Sequence, residues 1–217
     1  MKTKHTIRII LNILIAGGFI AILINMLVKV HTGVLVSSGV EVLKFFTTLS
    51  NLLEAVAALI WVIFALVKKG KVSGFLEGLK YVAAVQVFVT FLTIVAFLAP
   101  IYGFAETCSG NNFWLHIVIP LAAILEQIFL AEKKMGFKEN LIVVLPPLVY
   151  GIAYVINIIV NGKGEYPDTN DWYGFLNWGI PIGIAIFIGI CIMAFLLGLL
   201  FRGLWKLASG QKSSETN

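Results

Sequence analysis

Charge is scarce in this chain: Asp, Glu, Lys and Arg together make up 12% of its 217 residues. A water-soluble domain carries about 25%, so an ordinary soluble globule is excluded. Cysteine is rarer still, with only Cys108 and Cys191. Two cysteines cannot build a disulfide framework, and one falls in a loop and the other mid-segment, so their depths argue against a bridge. There is no HxxxH pair, no cysteine cluster and only one histidine within an apolar segment, which leaves metal chemistry without a ligand set. Neither a GxSxG elbow nor a glycine-rich phosphate loop occurs. Nothing in the sequence asks for a cofactor.

What the chain has in abundance is apolar sequence: 59% hydrophobic residues and a mean hydropathy of +0.97. Six apolar segments stand out, at residues 7–30, 45–67, 81–99, 113–131, 141–160 and 178–201. Each is near or above the roughly 19–20 residues that cross a hydrocarbon core of ~30 Å. Lipid offers no hydrogen bonds to a backbone, so these segments are expected to be helices. The expected fold is all-α: one polytopic domain over residues 1–217, a bundle of six transmembrane helices. The first segment exceeds the roughly 7–15 apolar residues of a signal peptide and is expected to be retained. No Gly follows Met1 and no Cys box closes the chain, so no lipid anchor is expected.

Basic residues set the expected orientation. Lys2, Lys4 and Arg8, then Lys68, Lys69, Lys71 and Lys80, then Lys133, Lys134 and Lys138, then Arg202, Lys206 and Lys212 all fall on one side. That is 13 of the 16 Lys and Arg, leaving Lys29, Lys44 and Lys163 opposite. The bias predicts a multi-pass protein of the cell (plasma) membrane with both termini cytoplasmic. The net charge of +5 then reflects topology and contact with anionic lipid headgroups, not nucleic-acid binding. The outer connections hold Gly33, Ser37 and Ser38, then Pro100 and Gly103, then Pro167, Glu165, Asp168 and Asp171. Trp114, Trp172, Tyr173 and Trp178 are expected in an outer aromatic belt.

Helical spacing picks out polar stripes. At 100° per residue, Thr47, Ser50, Asn51 and Glu54 share one face of the second span. Gln86, Thr90 and Thr93 do so in the third, and Tyr150, Tyr154 and Asn157 in the fifth. Polar faces in a membrane helix turn toward protein or trapped water. Glu54 lies near mid-depth, where an acid costs about 2.5–3.5 kcal/mol, so it must be protonated or paired. The duller reading of the remaining residues is interhelical hydrogen bonding, worth about 0.6 kcal/mol each.

Thr47 and His116 open two spans that run in the same direction, which puts a hydroxyl and an imidazole at matching depth. Threonine becomes a nucleophile when a neighbouring base takes its proton, and imidazole suits that role near neutral pH. Pro120 stands four residues after His116 and lacks the N–H that would bond the histidine carbonyl. A kink at His116, with its own carbonyl seeking a partner, is therefore expected. The pair Thr47 and His116 is the candidate catalytic set. Ser50, Asn51, Glu54, Thr93, Tyr154 and Asn157 are candidates for oxyanion or substrate binding, with Asn51 and Asn157 as donors.

The same blocks resemble a known family. Phe46-Thr47-Thr48-Leu49-Ser50-Asn51-Leu52-Leu53, His116 with Pro120 four residues on, and the aromatic last outer loop are similar to the androgen-induced membrane hydrolases. Their bacterial six-span relatives are closer still. The resemblance implies a threonine hydrolase of fatty-acid esters of hydroxy fatty acids, with Thr47 as nucleophile and His116 as base. The expected function is hydrolysis of lipid esters entering sideways from the outer leaflet, with no cofactor. The alternatives are a small proton-coupled transporter using Glu54 and Glu126, and a noncatalytic membrane scaffold.

Overall fold

The computed structural model describes residues 2–28, 39–68, 72–165 and 169–210. Lys29, Gly33, Ser37, Ser38, Lys69, Lys71, Pro167, Asp168, Lys212 and the terminal residues 213–217 lie outside the described residues.

Six helices long and apolar enough to cross a membrane account for the bundle. They are α1 (Lys2–Val28), α2 (Phe46–Val67), α3 (Gly74–Tyr102), α4 (Gly110–Leu130), α5 (Phe137–Asn161) and α6 (Ile180–Ala208). No strand occurs among the described residues. The protein is an all-helical, multi-pass membrane protein. Hydropathy undercounted the helix ends, because charged and polar residues can extend a helix wherever they find partners. Helix α3 starts at Gly74, not residue 81, with Ser73 Oγ accepting from the Leu76 N–H at 3.3 Å. That earlier start draws Glu77 and Lys80 into the helix.

Helices α1 to α4 pack around the common core, in which Ile15, Phe19, Ala58, Ala84, Val85, Leu115 and Ala123 are buried. Helices α2 and α3 pack against each other, and both bury small residues: Ala55, Ala57 and Ala58 in one, Ala83 and Ala84 in the other. Small side chains let membrane helices approach closely and gain packing contact. Helices α5 and α6 complete the bundle, and faces carrying Ile152, Ile156, Ile184 and Ile188 stay exposed, as lipid-facing residues should. Gly198 of α6 sits where a side chain would collide with Asn140 and with Tyr81 Oη at 2.8 Å. There Tyr81 Oη donates to Asn140 Oδ1 at 2.6 Å, and the Gly198 carbonyl lies 2.8 Å from the same hydroxyl. Cys108 and Cys191 are both free.

Three helical turns widen from the usual i→i+4 bonding to i→i+5, at Ile94–Leu98, Trp114–Val118 and Glu126–Leu130. The first two end two residues before Pro100 and Pro120. Proline supplies no N–H, so the preceding turn can relax outward. In α4 the Ile119 N–H bonds the Trp114 carbonyl. The next wide-turn donor for Leu115 would be Pro120, which has none. Asn51 Nδ2 of α2 fills the gap, 3.0 Å from the Leu115 carbonyl. Sequence reasoning expected the partner-seeking carbonyl to be that of His116; the wide turn shifts the vacancy back by one residue. Helix α5 uses the same device. Val143 faces Pro147 where its helical donor should be, and Gln86 Nε2 of α3 donates to the Val143 carbonyl at 2.9 Å. Polar residues on α2 and α3 thus repair the prolines of α4 and α5.

Candidate functional site

At the end of the bundle where α2 begins, a cavity of about 60 Å³ opens between α2, α3, α5 and the loop before α6. Its hydroxyl-bearing lining is Thr47, Thr90, Thr93, Tyr150 and Tyr173, and the rest is apolar, including Phe97, Phe175 and Phe187. The volume exceeds the ~10–15 Å³ that admits one water. It fits a small polar group with a few methylenes. The wide turn at Ile94–Leu98 forms one wall, since Ile94, Phe97 and Leu98 all border the space.

Aromatic residues hold this end together. No side chain of α2 caps its own N-terminus. Tyr173, from the loop before α6, does so instead: the Phe46 N–H donates to Tyr173 Oη at 2.8 Å. Beside it Tyr150 Oη donates to the Lys44 carbonyl at 2.7 Å and accepts from Trp172 Nε1 at 3.0 Å. Burial pushes the Tyr173 phenol up to about 12, against hydrogen bonds from Tyr150 and the Phe46 and Thr47 backbone that favour its ionised form. It stays a neutral phenol at any physiological pH. The loop is anchored through buried Asp171, which takes a hydrogen bond from Tyr154 Oη and another from the Leu176 N–H at 3.0 Å.

His116 lies outside the cavity lining. It is buried, with 6% exposure, and Nδ1 is 2.5 Å from the Thr107 carbonyl. A carbonyl only accepts, so Nδ1 carries the proton and Nε2 of the neutral ring keeps its lone pair. The hydrogen bond from Asn51 to Leu115 fastens the His116 segment beside the first turns of α2. No hydrogen bond joins His116 to Thr47. Asn51 Nδ2 bonds both the Thr47 and the Leu115 carbonyls, so the two segments lie side by side.

The other expected binding residues divide. Thr93 borders the cavity with Thr47. Ser50 Oγ bonds Thr90 Oγ1 at 2.9 Å, one step behind the lining. Asn51 is not a free oxyanion donor, because Nδ2 is committed to the Thr47 carbonyl at 2.8 Å and to that of Leu115. Tyr154 and Asn157 face the loop before α6, where Asn157 Nδ2 donates to Asn170 Oδ1 at 3.1 Å. Glu54 belongs to a different centre altogether.

That second centre lies toward the opposite end of the bundle and is the feature sequence reasoning missed. Arg8 and Lys80, counted from the sequence as charges flanking the spans, are fully buried. Arg8 grips Glu77 with two parallel bonds, 2.7 Å and 2.9 Å, and its Nε bonds Glu126 Oε1 at 2.5 Å. The guanidinium lies 4.2 Å from the Trp61 ring centre, and Trp61 Nε1 donates to Glu77 Oε1 at 2.8 Å. Lys80 Nζ bonds Glu54 Oε1 and stands 3.5 Å from Glu126 Oε2. Asn12 Nδ2 donates to the Arg8 carbonyl at 2.9 Å. The spacings Arg8 to Asn12 and Glu77 to Lys80 put each pair on one helical face, a signal that stood beside the demand that Glu54 be paired or protonated. Among the described residues no group of three or more His, Cys, Asp or Glu could hold a metal ion.

Comparison of the chain with protein-family models, with characterised proteins and with solved structures finds no match. The functional reading therefore rests on the geometry of these two centres.

Proposed function

We propose that the protein hydrolyses lipid esters at the cavity bordered by Thr47, with His116 as the base. The observation that carries this reading is that Thr47 borders an apolar-lined cavity, while Asn51 ties its turn to the segment of His116, whose Nδ1–H is already held by a carbonyl. A fixed Nδ1–H is what orients imidazole as a base through Nε2. Thr47 Oγ1 would attack the ester carbonyl while its proton passes to Nε2, and the departing alkoxide would take that proton back. Water would then cleave the acyl-threonine by the same route, giving a fatty acid and an alcohol and restoring both side chains. Catalytic hydrogen bonds in an empty site are often long and tighten on substrate binding, and the reading requires that of Thr47 and His116. The three sequence blocks that resemble the androgen-induced membrane hydrolases would imply the same two roles.

Orientation belongs to this proposal. With Arg8 and Lys80 set aside as buried, 11 of the remaining 14 Lys and Arg still flank the same ends of the spans in the sequence. That bias supports an orientation with both termini cytoplasmic in a plasma membrane, with anionic headgroups against the basic side. The cavity then lies in the outer leaflet, where a lipid ester would enter between helices. One observation favours proton-coupled transport instead: Glu54 and Glu126 do meet, around Lys80.

The test uses purified protein with a fluorophosphonate probe, followed by a panel of lipid esters. Labelling and ester cleavage lost in both Thr47→Ala and His116→Ala, with thermal stability retained, supports hydrolysis. Labelling unaffected by either substitution refutes it. Solute flux abolished by Glu54→Gln would favour the transporter.

A further inference from the structure

The buried ion cluster is unbalanced. Its cations are Arg8 and Lys80 and its acids are Glu54, Glu77 and Glu126, all essentially sealed from solvent. With every group ionised the cluster would carry one net negative charge inside a low-dielectric bundle, where an uncompensated charge is strongly disfavoured. Glu77 is saturated by the Arg8 fork and Trp61. The imbalance falls on the other two acids. Glu54 Oε2 and Glu126 Oε2 are both buried and neither has a hydrogen-bond donor. Lys80 bridges the two carboxylates, holding them in one neighbourhood.

We propose that Glu54 and Glu126 form a proton-binding site, holding one proton between them at neutral pH. Uptake turns one carboxylate into a carboxylic acid and brings the cluster to zero net charge. Surrounding charges do not supply an alternative. On α1 the nearest further titratable group, His5, pairs with Glu132 at 3.1 Å at the exposed edge. From α6, Arg202 is directed to the Met135 carbonyl at 3.1 Å. On α3, Tyr81 is committed to Asn140, and on α5, Glu139 lies beside Gly136 and Gly78.

The site also has a polar route toward the cavity. Glu54 is one helical turn from Ser50 and Asn51, Ser50 Oγ touches Thr90 Oγ1, and Thr90 borders the cavity. The proton site does not depend on the ester chemistry at Thr47, and either can fail without the other.

Infrared spectroscopy of the full-length protein, reconstituted with isotope-labelled glutamate, tests this directly. The spectrum is taken at about pH 8, far above the roughly 4.3 of a solvated glutamate. The label excludes Asp171. A C=O stretch of labelled carboxylic acid, one equivalent per chain, is expected and should vanish in Glu54→Gln or Glu126→Gln. Glu54→Asp, the milder change, should remove or move the labelled band if the glutamine variants do not fold. No acid band in the wild-type protein overturns the proposal whatever the variants do, and so does a band that survives every substitution.

Discussion

Replacing Lys80 with Met should harm the protein far more than replacing Glu54 with Gln, although the two residues are partners in one ion pair. Lys80 is completely buried and, among the described residues, is the only cation paired with both Glu54 and Glu126. Lys80→Met leaves the two acids, and the one proton they share, without the cation beside them. Removing one member of a buried pair typically costs about 3–5 kcal/mol, because a charge stays behind uncompensated. Glu54→Gln instead removes the acid whose charge calls for the extra proton, and Lys80 retains Glu126 at 3.5 Å. The remaining penalty is that of an altered hydrogen bond, about 1 kcal/mol. For a chain of this size each kcal/mol moves the midpoint about 2–4 °C, so Lys80→Met should lower Tm by roughly 6–20 °C and Glu54→Gln by only a few degrees. Thermal unfolding of the purified variants, followed by circular dichroism and by reactivity of the two cysteines, measures the difference. Equal losses from the two substitutions would refute the charge count on which the proton site rests. A Lys80→Met loss within about 1 kcal/mol would refute the burial argument itself.

Asn51→Leu should cost about 1–3 kcal/mol by leaving the Leu115 carbonyl unpaired; in a Pro120→Ala background, where an N–H returns to α4, denaturation should show a smaller loss. Tyr173→Phe removes the cap of α2, and a loss of about 1 kcal/mol is expected, with lipid-ester cleavage falling because Thr47 lies in the turn it fixes. The raised Tyr173 phenol gives a sign for alkaline behaviour: the unfolded chain releases this proton near the ordinary ~10, the folded one near about 12. Its contribution is therefore intact below about pH 10 and lost as pH rises toward 12; loss that is equally steep in Tyr173→Phe would assign it elsewhere. Under the proposed hydrolysis, Thr47→Ser should retain ester cleavage where Thr47→Ala abolishes it, read as product fatty acid per chain, since serine keeps the hydroxyl assigned to the attack.

The spans and the helical class were legible because they follow from chemistry local to each segment. An apolar run of about 20 residues has one way to satisfy its backbone in lipid, and a period of 3.6 puts Ser50, Asn51 and Glu54 on one face whatever surrounds them. The demand that Glu54 be paired or protonated was equally local. Its partner was not. A lysine close to a helix end can snorkel outward or turn inward, and only the packing of α1, α2 and α4 against α3 brought carboxylates to Lys80 and so turned it in. Arg8 was misjudged for the same reason. The direction in which Thr47 and His116 face depends on how the helices rotate against one another, and only the packed bundle puts Thr47 on the cavity and His116 outside its lining.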